Sequence, residues 1–232
     1  MGKRKVIVDG LPYFWATNPT CMKYKNLREE YRQFELRDED VLNNPFEQFE
    51  LWFDEALKQN PSDTNAMVLS TVSKEGWPQG RVVLLKEVDH GFVWFTNYGS
   101  GKGQDLEHSP KAALTFWWPG PARQVRVTGS VEKICEKESD DYFQSRPRNS
   151  QAGAIASLQS SRIDGREDLE NRYETLIALP ETTAFQRPEN WGGYRLIPHS
   201  FEFWQGRESR LHDRILFTME EKSNWKKERL SP

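Results

Sequence analysis

Short strand-like segments, separated by tight turns, fill most of the chain from residue 66 onward. The first two are AMVLSTVS and GRVVLLKEV, joined by the turn sequence KEGWP, and a DHG turn leads into FVWFTN. Later segments of this kind are AALTFWW, RQVRVTGSVEKI, GGYRLIPHSFEFWQ, RLHDRILFTM and NWKKERL. Several strands at short spacing with tight turns are typical of antiparallel sheets and closed barrels. The pattern therefore predicts a fold built on an antiparallel barrel.

Helical segments precede and interrupt the strands. Residues 26–59 are predicted to form two helices, separated by residues 43–45, which read Asn-Asn-Pro. The second helix carries an apolar stripe that we expect to face the core, formed by Phe46, Phe49, Phe53 and Leu57. Three later helices are predicted for EKESDDYFQSR, SQAGAIASLQS and REDLENRYETLIAL. We expect an α+β fold, an antiparallel β-barrel with peripheral helices, as a single domain over residues 26–232 after a flexible arm over residues 1–25.

Composition excludes several classes of function. The net charge is -3 and the pI is near 5.9, which indicates neither a nucleic-acid-binding nor a basic membrane-binding surface. The two cysteines, Cys21 and Cys135, form no CxxC pair, which excludes a cysteine zinc site and a disulfide framework and favours a reducing compartment. Neither a signal peptide nor a membrane span is indicated. We therefore expect a cytoplasmic protein that binds neither nucleic acid nor membranes.

The stretch EFWQGRESRLHDRILF (202–217) carries cations at alternate positions. If it is a strand, Arg210, His212 and Arg214 share one face. The opposite face then holds Leu211, Asp213, Ile215 and Phe217. Such a cationic row faces either water, above a buried apolar face, or a bound anion. On alternation alone, the solvated face is the more common arrangement.

Other signals point to a phosphorylated ligand. Arg81 and Lys86 have opposite parity in GRVVLLKEV, so they serve different groups unless the strand twists or bulges between them. The loop NYGSGKGQDLEHSP runs into a short helix and offers backbone N–H groups and Lys102 to a phosphate, although it matches neither the P-loop nor the dinucleotide pattern. No two histidines have metal-ligand spacing, and the HExxH and GxSxG motifs are absent. Cations, amides, hydroxyls and tryptophans on strands and turns suit a flat, polar, phosphorylated ligand.

A series of motifs carries a resemblance to a known family. In chain order they are REEY, RVVLLK, FTN, RQVRV, YFQSRPRNSQAGA, LQSS, WGGYR, EFWQGRESRLHDR and ERLSP. With these motifs, from about residue 26 to the C-terminus, the chain resembles the pyridoxine 5'-phosphate oxidases, FMN-dependent enzymes that make pyridoxal 5'-phosphate. The resemblance implies an FMN-binding split β-barrel and a homodimer with FMN at the subunit interface.

The resemblance also implies the residues that bind FMN, partly supplied by the second subunit. The stretch from Arg81 to Lys86 holds the flavin phosphate and ring edge, and Gln124 touches the isoalloxazine ring. The implied set is Arg81, Val82, Val83, Leu84, Leu85, Lys86, Phe95, Thr96, Lys102, Gln124, Gln159, Ser160, Trp204 and Arg214.

Substrate-binding residues follow from the same resemblance. The substrate phosphate is implied to lie against Lys86, Tyr142, Arg146 and Ser150. The implied catalytic residues are Arg210 and His212, placed with Leu211 over the pyridine ring, and Arg28 and Tyr31 form an N-terminal lid. The implied reaction is oxidation at C4' of pyridoxine or pyridoxamine 5'-phosphate, with O2 as acceptor, giving H2O2 and, from the amine, ammonia. Such an enzyme is a pyridoxal 5'-phosphate synthase.

One motif departs from the family pattern. The family usually has Ser-Arg-Lys-Gly where this chain has Ser100-Gly101-Lys102-Gly103. The absent arginine normally helps to neutralise the FMN phosphate. Its loss is expected to cost about 1–3 kcal/mol of FMN binding unless another group replaces it.

Three alternatives remain open at the level of sequence. One is another split-barrel flavoenzyme, a flavin reductase or a phenazine-type oxidase, and the phosphate set around Tyr142, Arg146 and Ser150 favours a phosphorylated vitamer over it. The second is a non-catalytic carrier of pyridoxal phosphate, against which Arg210 and His212 argue. The third is a barrel that binds single-stranded nucleic acid, which the net negative charge disfavours.

Overall fold

The strand pattern of the sequence corresponds to a nine-stranded antiparallel sheet. The structure is a computed structural model that describes residues 34–221 and 224–232 and the backbone of residues 7–8 and 11–12. Two short strands, β1 (Ile7–Val8) and β2 (Leu11–Pro12), pair only with each other. The sheet consists of β3 (Ala66–Val72), β4 (Pro78–Leu84), β5 (Glu87–Val88), β6 (Phe92–Asn97), β7 (Lys111–Trp118), β8 (Arg123–Lys133), β9 (Trp191–Gln205), β10 (Asp213–Met219) and β11 (Trp225–Leu230).

The sheet is curled because one long strand has different neighbours at its two ends. Strand β9 pairs with β8 along one side, and on the other side its first half pairs with β6 and its second half with β10. The order along the main path is β11-β10-β9-β8-β7-β3-β4, and off this path β5 pairs with β6. A bulge between Thr128 and Gly129 adds to the bend. A β-carbon at Gly129 would collide with the carbonyl oxygen of Ile197, so the bulge requires glycine there.

Helix α1 (Pro45–Gln59) covers the inner face of the sheet. It begins where Asn44 Oδ1 accepts the N–H of Phe46 at 2.9 Å, with proline in the first turn. Its buried side chains include Phe49 and Trp52, and the Trp52 ring lies 5.3 Å from that of Phe203. Burying one such side chain contributes about 1.5–3 kcal/mol to folding. The main core therefore lies between α1 and the curled sheet.

Four further helices stand beside the sheet. They are α2 (Gly101–His108), α3 (Glu136–Ser145), α4 (Arg148–Ala156) and α5 (Arg166–Ile177). A second apolar cluster joins α3, α4 and α5 to the sheet, and its buried members are Phe143, Ala152, Phe185 and Trp191. The architecture is the predicted α+β arrangement, a curled antiparallel half-barrel with peripheral helices.

Two helical predictions need correction. The described part of the first predicted helix, from residue 34, forms only a short 3-10 turn at Asp38–Asp40, where three acidic residues follow one another. On α1 the predicted stripe is shifted, because Leu57 is 41% exposed while Trp52 and Ala56 are buried. Each of the later predicted helices is present, with boundaries within a few residues of the predicted ones.

The predicted strand over residues 210–219 is wrong in its first part. Strand β10 begins at Asp213, after a 3-10 turn at Glu208–Arg210 in which Ser209 (φ 52°) and Arg210 (φ 61°) adopt left-handed backbone conformations. The alternation therefore does not run through this segment. The prediction of a shared strand face for Arg210, His212 and Arg214 fails. Leu211, predicted to be buried, is 71% exposed.

Residues 34–221 and 224–232 belong to one compact unit. The predicted flexible arm over residues 1–25 falls mostly outside the described residues and stays a prediction. Arg28 and Tyr31, the predicted lid, also lie outside them. Within the described part of the chain, none of the helices is long and apolar enough to cross a membrane.

Candidate active site

A cleft of about 1010 Å³ opens between strands β4 and β6 and helices α2, α3 and α4. This volume is at the upper end of the range for small-molecule sites. Most of the predicted ligand contacts line it, namely Arg81, Val82, Val83, Leu84, Lys86, Phe95, Thr96, Lys102, Tyr142, Arg146, Ser150, Gln159 and Ser160. Arg81 and Lys86 reach the same cleft despite their opposite parity because β4 ends at Leu84, between them.

Lys102 joins three elements at one end of the cleft. Its ammonium donates to Thr96 Oγ1 on β6 at 2.9 Å, to Ser100 Oγ at 3.1 Å and to Gln159 Oε1 beyond α4 at 2.8 Å. Burial, with a smaller contribution from the charge of Arg81, lowers the pKa of Lys102 to about 8. The side chain is thus fixed and desolvated, with an ammonium that an incoming anion would stabilise.

Arg81 is held at the same end by a small polar network. Its Nη1 donates to Thr71 Oγ1 at 2.5 Å and its Nη2 lies 3.5 Å from a carboxylate oxygen of Asp105 on α2. The Thr71 hydroxyl in turn donates to Asp105 at 2.6 Å. Asp105, which the sequence reasoning did not name, neutralises part of the charge and fixes the guanidinium.

The start of α2 leaves free space beside these cations. The N–H of Gly101 donates to Ser160 Oγ at 3.2 Å, and a β-carbon at Gly101 would meet only that oxygen, at 4.0 Å. A β-carbon at Gly103, by contrast, would collide with the carbonyl of Tyr98. Position 101 therefore has room for a β-carbon, whereas position 103 requires glycine.

The other end of the cleft combines aromatic rings with an unpaired cation. Tyr142 on α3 stacks on Phe95 with ring centroids 3.7 Å apart, and the Arg146 guanidinium lies 4.8 Å from the ring centroid of Trp191. Arg146 Nη1 is buried without a hydrogen-bond partner, and burial lowers the pKa of this side chain. Ser150, in the first turn of α4, lines the same wall. A buried guanidinium nitrogen without an acceptor is suited to bind an anion.

Another set of predicted flavin contacts lies on the sheet and not in the cleft. Gln124 on β8 pairs with Trp204 on β9, which pairs with Arg214 on β10, so the three side chains form one row across neighbouring strands. We call these three residues the sheet row. Arg214 donates to Glu202 at 2.9 Å. None of the sheet row lines the cleft of the same chain, and Leu85 is buried in the main core.

The predicted catalytic pair lies beside the sheet row, in the turn before β10. The ring of His212 lies 4.6 Å from that of Trp204, and its Nδ1 accepts the backbone N–H of Arg207 at 3.1 Å. Burial and then the charge of Arg210 lower the pKa of His212. Arg210 itself is exposed on the left-handed turn. Arg210 and His212 are thus close to each other because of the turn before β10, and not because they alternate on one strand face.

Sequence reasoning missed Trp191, which forms part of the cleft wall. The residue opens the motif WGGYR, and its side chain is 6% exposed. Its partners, Arg146, Phe95 and Tyr142, are far away in sequence, so no local pattern indicates the contact.

Sequence comparison identifies relatives over nearly the whole chain. A family model described as pyridoxamine 5'-phosphate oxidase matches residues 53–178, and one described as the pyridoxine 5'-phosphate oxidase C-terminal dimerisation region matches residues 191–232. A pyridoxine/pyridoxamine 5'-phosphate oxidase from Trichormus variabilis is 50% identical over 208 residues, which cover 89% of this chain and 97% of the relative. The chloroplastic enzyme 1 of that name from Arabidopsis thaliana is 50% identical over 219 residues, which cover 92% of this chain and 41% of that protein.

Solved structures agree on the fold. PhzG from Burkholderia lata 383, in complex with tetrahydrophenazine-1-carboxylic acid, superposes with a TM-score of 0.81 at 27% identity over 87% of this chain and 100% of that chain. A pyridoxamine 5'-phosphate oxidase-related, FMN binding protein from Nostoc punctiforme has a TM-score of 0.65 at 16% identity over 79% of this chain and 97% of that chain. The second likeness concerns the fold alone. The chain belongs to the pyridoxine/pyridoxamine 5'-phosphate oxidase family of FMN-binding split-barrel proteins.

Proposed function

We propose that the protein is an FMN-dependent oxidase that converts pyridoxine 5'-phosphate and pyridoxamine 5'-phosphate to pyridoxal 5'-phosphate, with dioxygen as acceptor. The observation that carries this proposal is the unpaired guanidinium of Arg146. A buried guanidinium nitrogen without an acceptor is costly, and a phosphate dianion is the kind of group that removes the cost. Family membership supplies the identity of the phosphorylated substrate.

The cleft residues fit FMN at the end opposite Arg146. Lys102 and Arg81 offer two cations to the flavin phosphate, and the free space beside Gly101 leaves the start of α2 open to it. Both cations are already held by hydrogen bonds, so little side-chain ordering remains when the phosphate binds. In this arrangement the two phosphates occupy separate ends of one cleft.

A second copy of the chain completes the proposed site. The sheet row does not line the cleft of its own chain, and the matched dimerisation region, residues 191–232, contains Trp204 and Arg214. We infer that the sheet row of one copy faces the cleft of the other, with FMN between them. Exposed apolar side chains on the adjoining strands β3, β4 and β7, namely Val68, Val82 and Trp117, support a contact with another protein surface.

The protein's own residues act by binding and orienting. FMN, when bound, supplies the acceptor for the hydride and passes the electrons to dioxygen. Arg146, Tyr142 and Ser150 hold the substrate phosphate and thereby fix the distance of the reacting carbon from the flavin. Arg210 and His212, with the lowered pKa of the imidazole, present a cation and a neutral ring to the pyridine. Orientation of the substrate is the main contribution of these side chains.

Anaerobic flavin reduction tests the proposal. We expect the protein to bind about one FMN per chain, the flavin band to bleach on addition of pyridoxine 5'-phosphate, and air to restore it with release of H2O2. Arg210→Ala and His212→Ala are expected to keep FMN but to reduce flavin slowly, because misplacing the ring by about 1 Å costs roughly a hundredfold in rate. A protein that binds FMN but is not reduced by the phosphorylated vitamers would instead be a carrier or another split-barrel flavoenzyme.

We also propose a cytoplasmic location. The support is the free thiol of Cys135, which is exposed and whose sulfur accepts the N–H of Glu138 at the start of α3, an arrangement that suits a reducing compartment. Fractionation of cells that produce the protein tests this, and recovery from a secreted fraction would contradict it.

A further inference from the structure

Two arginines at the start of α4 lie two positions apart but are held in different ways. Arg148 donates to the carbonyl oxygens of Thr183 at 2.6 Å and Leu179 at 3.1 Å, and its guanidinium lies 4.2 Å from the ring centroid of Phe185. By contrast, the Nη1 of Arg146 is buried without a hydrogen-bond partner among the described residues. Within the described residues, no carboxylate forms an ion pair with Arg146 either.

The backbone of Arg146 is nevertheless fixed. Its N–H donates to the carbonyl of Phe143 at 3.2 Å as α3 ends, and its carbonyl accepts from the amide of Gln151 at 3.0 Å. The side chain beyond this point has several rotatable bonds, and arginine loses much conformational freedom when it is held in one place. Some contact other than a hydrogen bond must orient the guanidinium toward the cleft.

Trp191 supplies a rigid surface for this purpose. Its indole packs edge-on against Phe143 at 5.4 Å and lies parallel to Phe95 at 5.6 Å. Its backbone N–H donates to the carbonyl of Pro188 at 2.9 Å, and its carbonyl accepts from Arg187 at 2.7 Å. The Arg146 guanidinium lies 4.8 Å from the ring centroid, within the range of a cation–π contact. Trp191 is thus fixed on its other sides while it contacts the cation.

We propose that Trp191 is a positioning residue for the substrate phosphate, which acts by holding the Arg146 guanidinium in the cleft with its N–H groups unpaired. A cation–π contact orients a guanidinium without occupying its donors, whereas a carbonyl or a carboxylate would occupy the donors that the phosphate needs. The contrast with Arg148, whose donors are taken by carbonyls, illustrates the difference. The inference rests on the proposed function, because it names the phosphate as the substrate's.

Steady-state kinetics of the FMN-loaded enzyme with pyridoxine 5'-phosphate test this role. Trp191→Leu is expected to raise KM about 3- to 30-fold, the equivalent of a typical cation–π contact, with kcat and FMN content little changed. Trp191→Phe retains a ring, and we expect a smaller rise. Combining Trp191→Leu with Arg146→Ala should raise KM no further than Arg146→Ala alone, because the indole acts through the guanidinium.

Phe185→Leu is the matched control. Phe185 belongs to the same apolar cluster and contacts Arg148, but it does not line the cleft. We expect Phe185→Leu to lower Tm and to leave KM unchanged. If Trp191→Leu does not fold, Trp191→Phe is used instead. A raised KM of Trp191→Phe at full FMN content supports the positioning role of Trp191, and an unchanged KM contradicts it.

The outcomes that would overturn the inference are separate from those that concern the function. A wild-type enzyme that oxidises pyridoxine 5'-phosphate, together with Trp191 variants of unchanged KM, overturns the role of Trp191 alone. Additive effects of Trp191→Leu and Arg146→Ala overturn it as well. A wild-type protein with bound FMN that does not oxidise pyridoxine 5'-phosphate overturns the proposed function, and the inference with it.

Discussion

The cleft and the sheet row lie on different parts of one chain, which makes a test by complementation between subunits possible. Lys102→Met removes a cation from the cleft, and Arg214→Ala removes one from the sheet row. If FMN lies between two copies, each site uses the cleft of one chain and the sheet row of the other. A heterodimer of the two variants then contains one site with both defects and one intact site.

The structure sets the size of the expected effect. A lost charge-assisted hydrogen bond costs about 1.5–3 kcal/mol, so each homodimer should bind FMN roughly 10- to 150-fold more weakly than wild type. Arg214→Ala leaves Glu202 with Arg126, 3.1 Å away, so the sheet keeps a partner for that carboxylate. The FMN concentration is set between the dissociation constant of the wild-type site and that of the damaged sites. The heterodimer should then retain about half the wild-type activity, since one of its two sites is intact.

Co-expression with two different affinity tags and sequential purification isolates the heterodimer. The assay is flavin content and oxidation of pyridoxine 5'-phosphate per dimer. The control is a heterodimer of Lys102→Met and Gln159→Ala, both cleft residues that contact each other, in which both sites remain damaged. Equal, low activity in both heterodimers would refute the reasoning, because it would mean that each site is built within one chain.

Four further predictions concern the side chains at positions 101, 102, 211 and 215. Gly101→Arg should tighten FMN binding about 5- to 150-fold in a titration of the apoprotein, because a β-carbon at this position meets no close neighbour and the added cation can reach the flavin phosphate. Gly101→Gln adds a side chain without the charge and should not tighten binding. Equal FMN affinity in the two variants would contradict the prediction. FMN binding should weaken as the pH rises through about 8, with a proton taken up on binding, because Lys102 loses its charge there. Lys102→Met should flatten this pH profile. A wild-type affinity that does not change with pH in this range would show that the charge of Lys102 does not contribute to FMN binding. In the apoprotein the pKa of Lys102 lies below its usual 10.5, so the unfolded state holds the proton longer and stability should rise with pH between these values. Leu211→Ala should change the free energy of unfolding by less than about 0.5 kcal/mol, whereas Ile215→Ala, at a position that is 1% exposed, should cost about 2–5 kcal/mol in denaturant unfolding, and similar values for both would contradict the assigned burial.

Local patterns predict the parts of the fold in which one period runs without interruption. Strand β8 alternates between buried Val125 and Val127 and the less buried Gln124 and Arg126, as the sequence suggests. The start of α1 is indicated by the Asn-Pro pair at its first turn. In these segments the physical signal lies within a few residues of the element it specifies.

The pattern fails where the backbone leaves the regular conformations. Ser209 and Arg210 carry positive φ angles although neither is glycine, so nothing in EFWQGRESRLHDRILF marks the turn. Alternation then assigned Leu211 to the core, whereas the left-handed turn exposes it. The predicted burial of Leu57 is wrong for a different reason. Apolar residues occupy more of the α1 surface than the sheet covers, and contacts across the core determine which of them are buried.

The site is less accessible to sequence reasoning than the fold, because its geometry is non-local. The row from Gln124 to Trp204 to Arg214 depends on the register between three strands, and the order of the strands is not encoded in any of them. The contact between Trp191 and Arg146 joins the start of β9 to the end of α3. Only the family resemblance named most of these residues in advance, and it did not name Trp191.

The two ends of the cleft differ in how firmly their cations are held, and this difference fits the two ligands proposed for them. Arg81 is bonded to Thr71 and paired with Asp105, and Lys102 donates to three oxygens, so that end is ordered before any ligand binds. Arg146 is held by an aromatic face and keeps an unpaired donor. A pre-ordered set of donors favours slow dissociation, as suits a cofactor that stays through many turnovers. A cation held without hydrogen bonds gains its acceptor when the phosphate arrives and loses it when the product leaves, as suits a substrate that must exchange in every cycle.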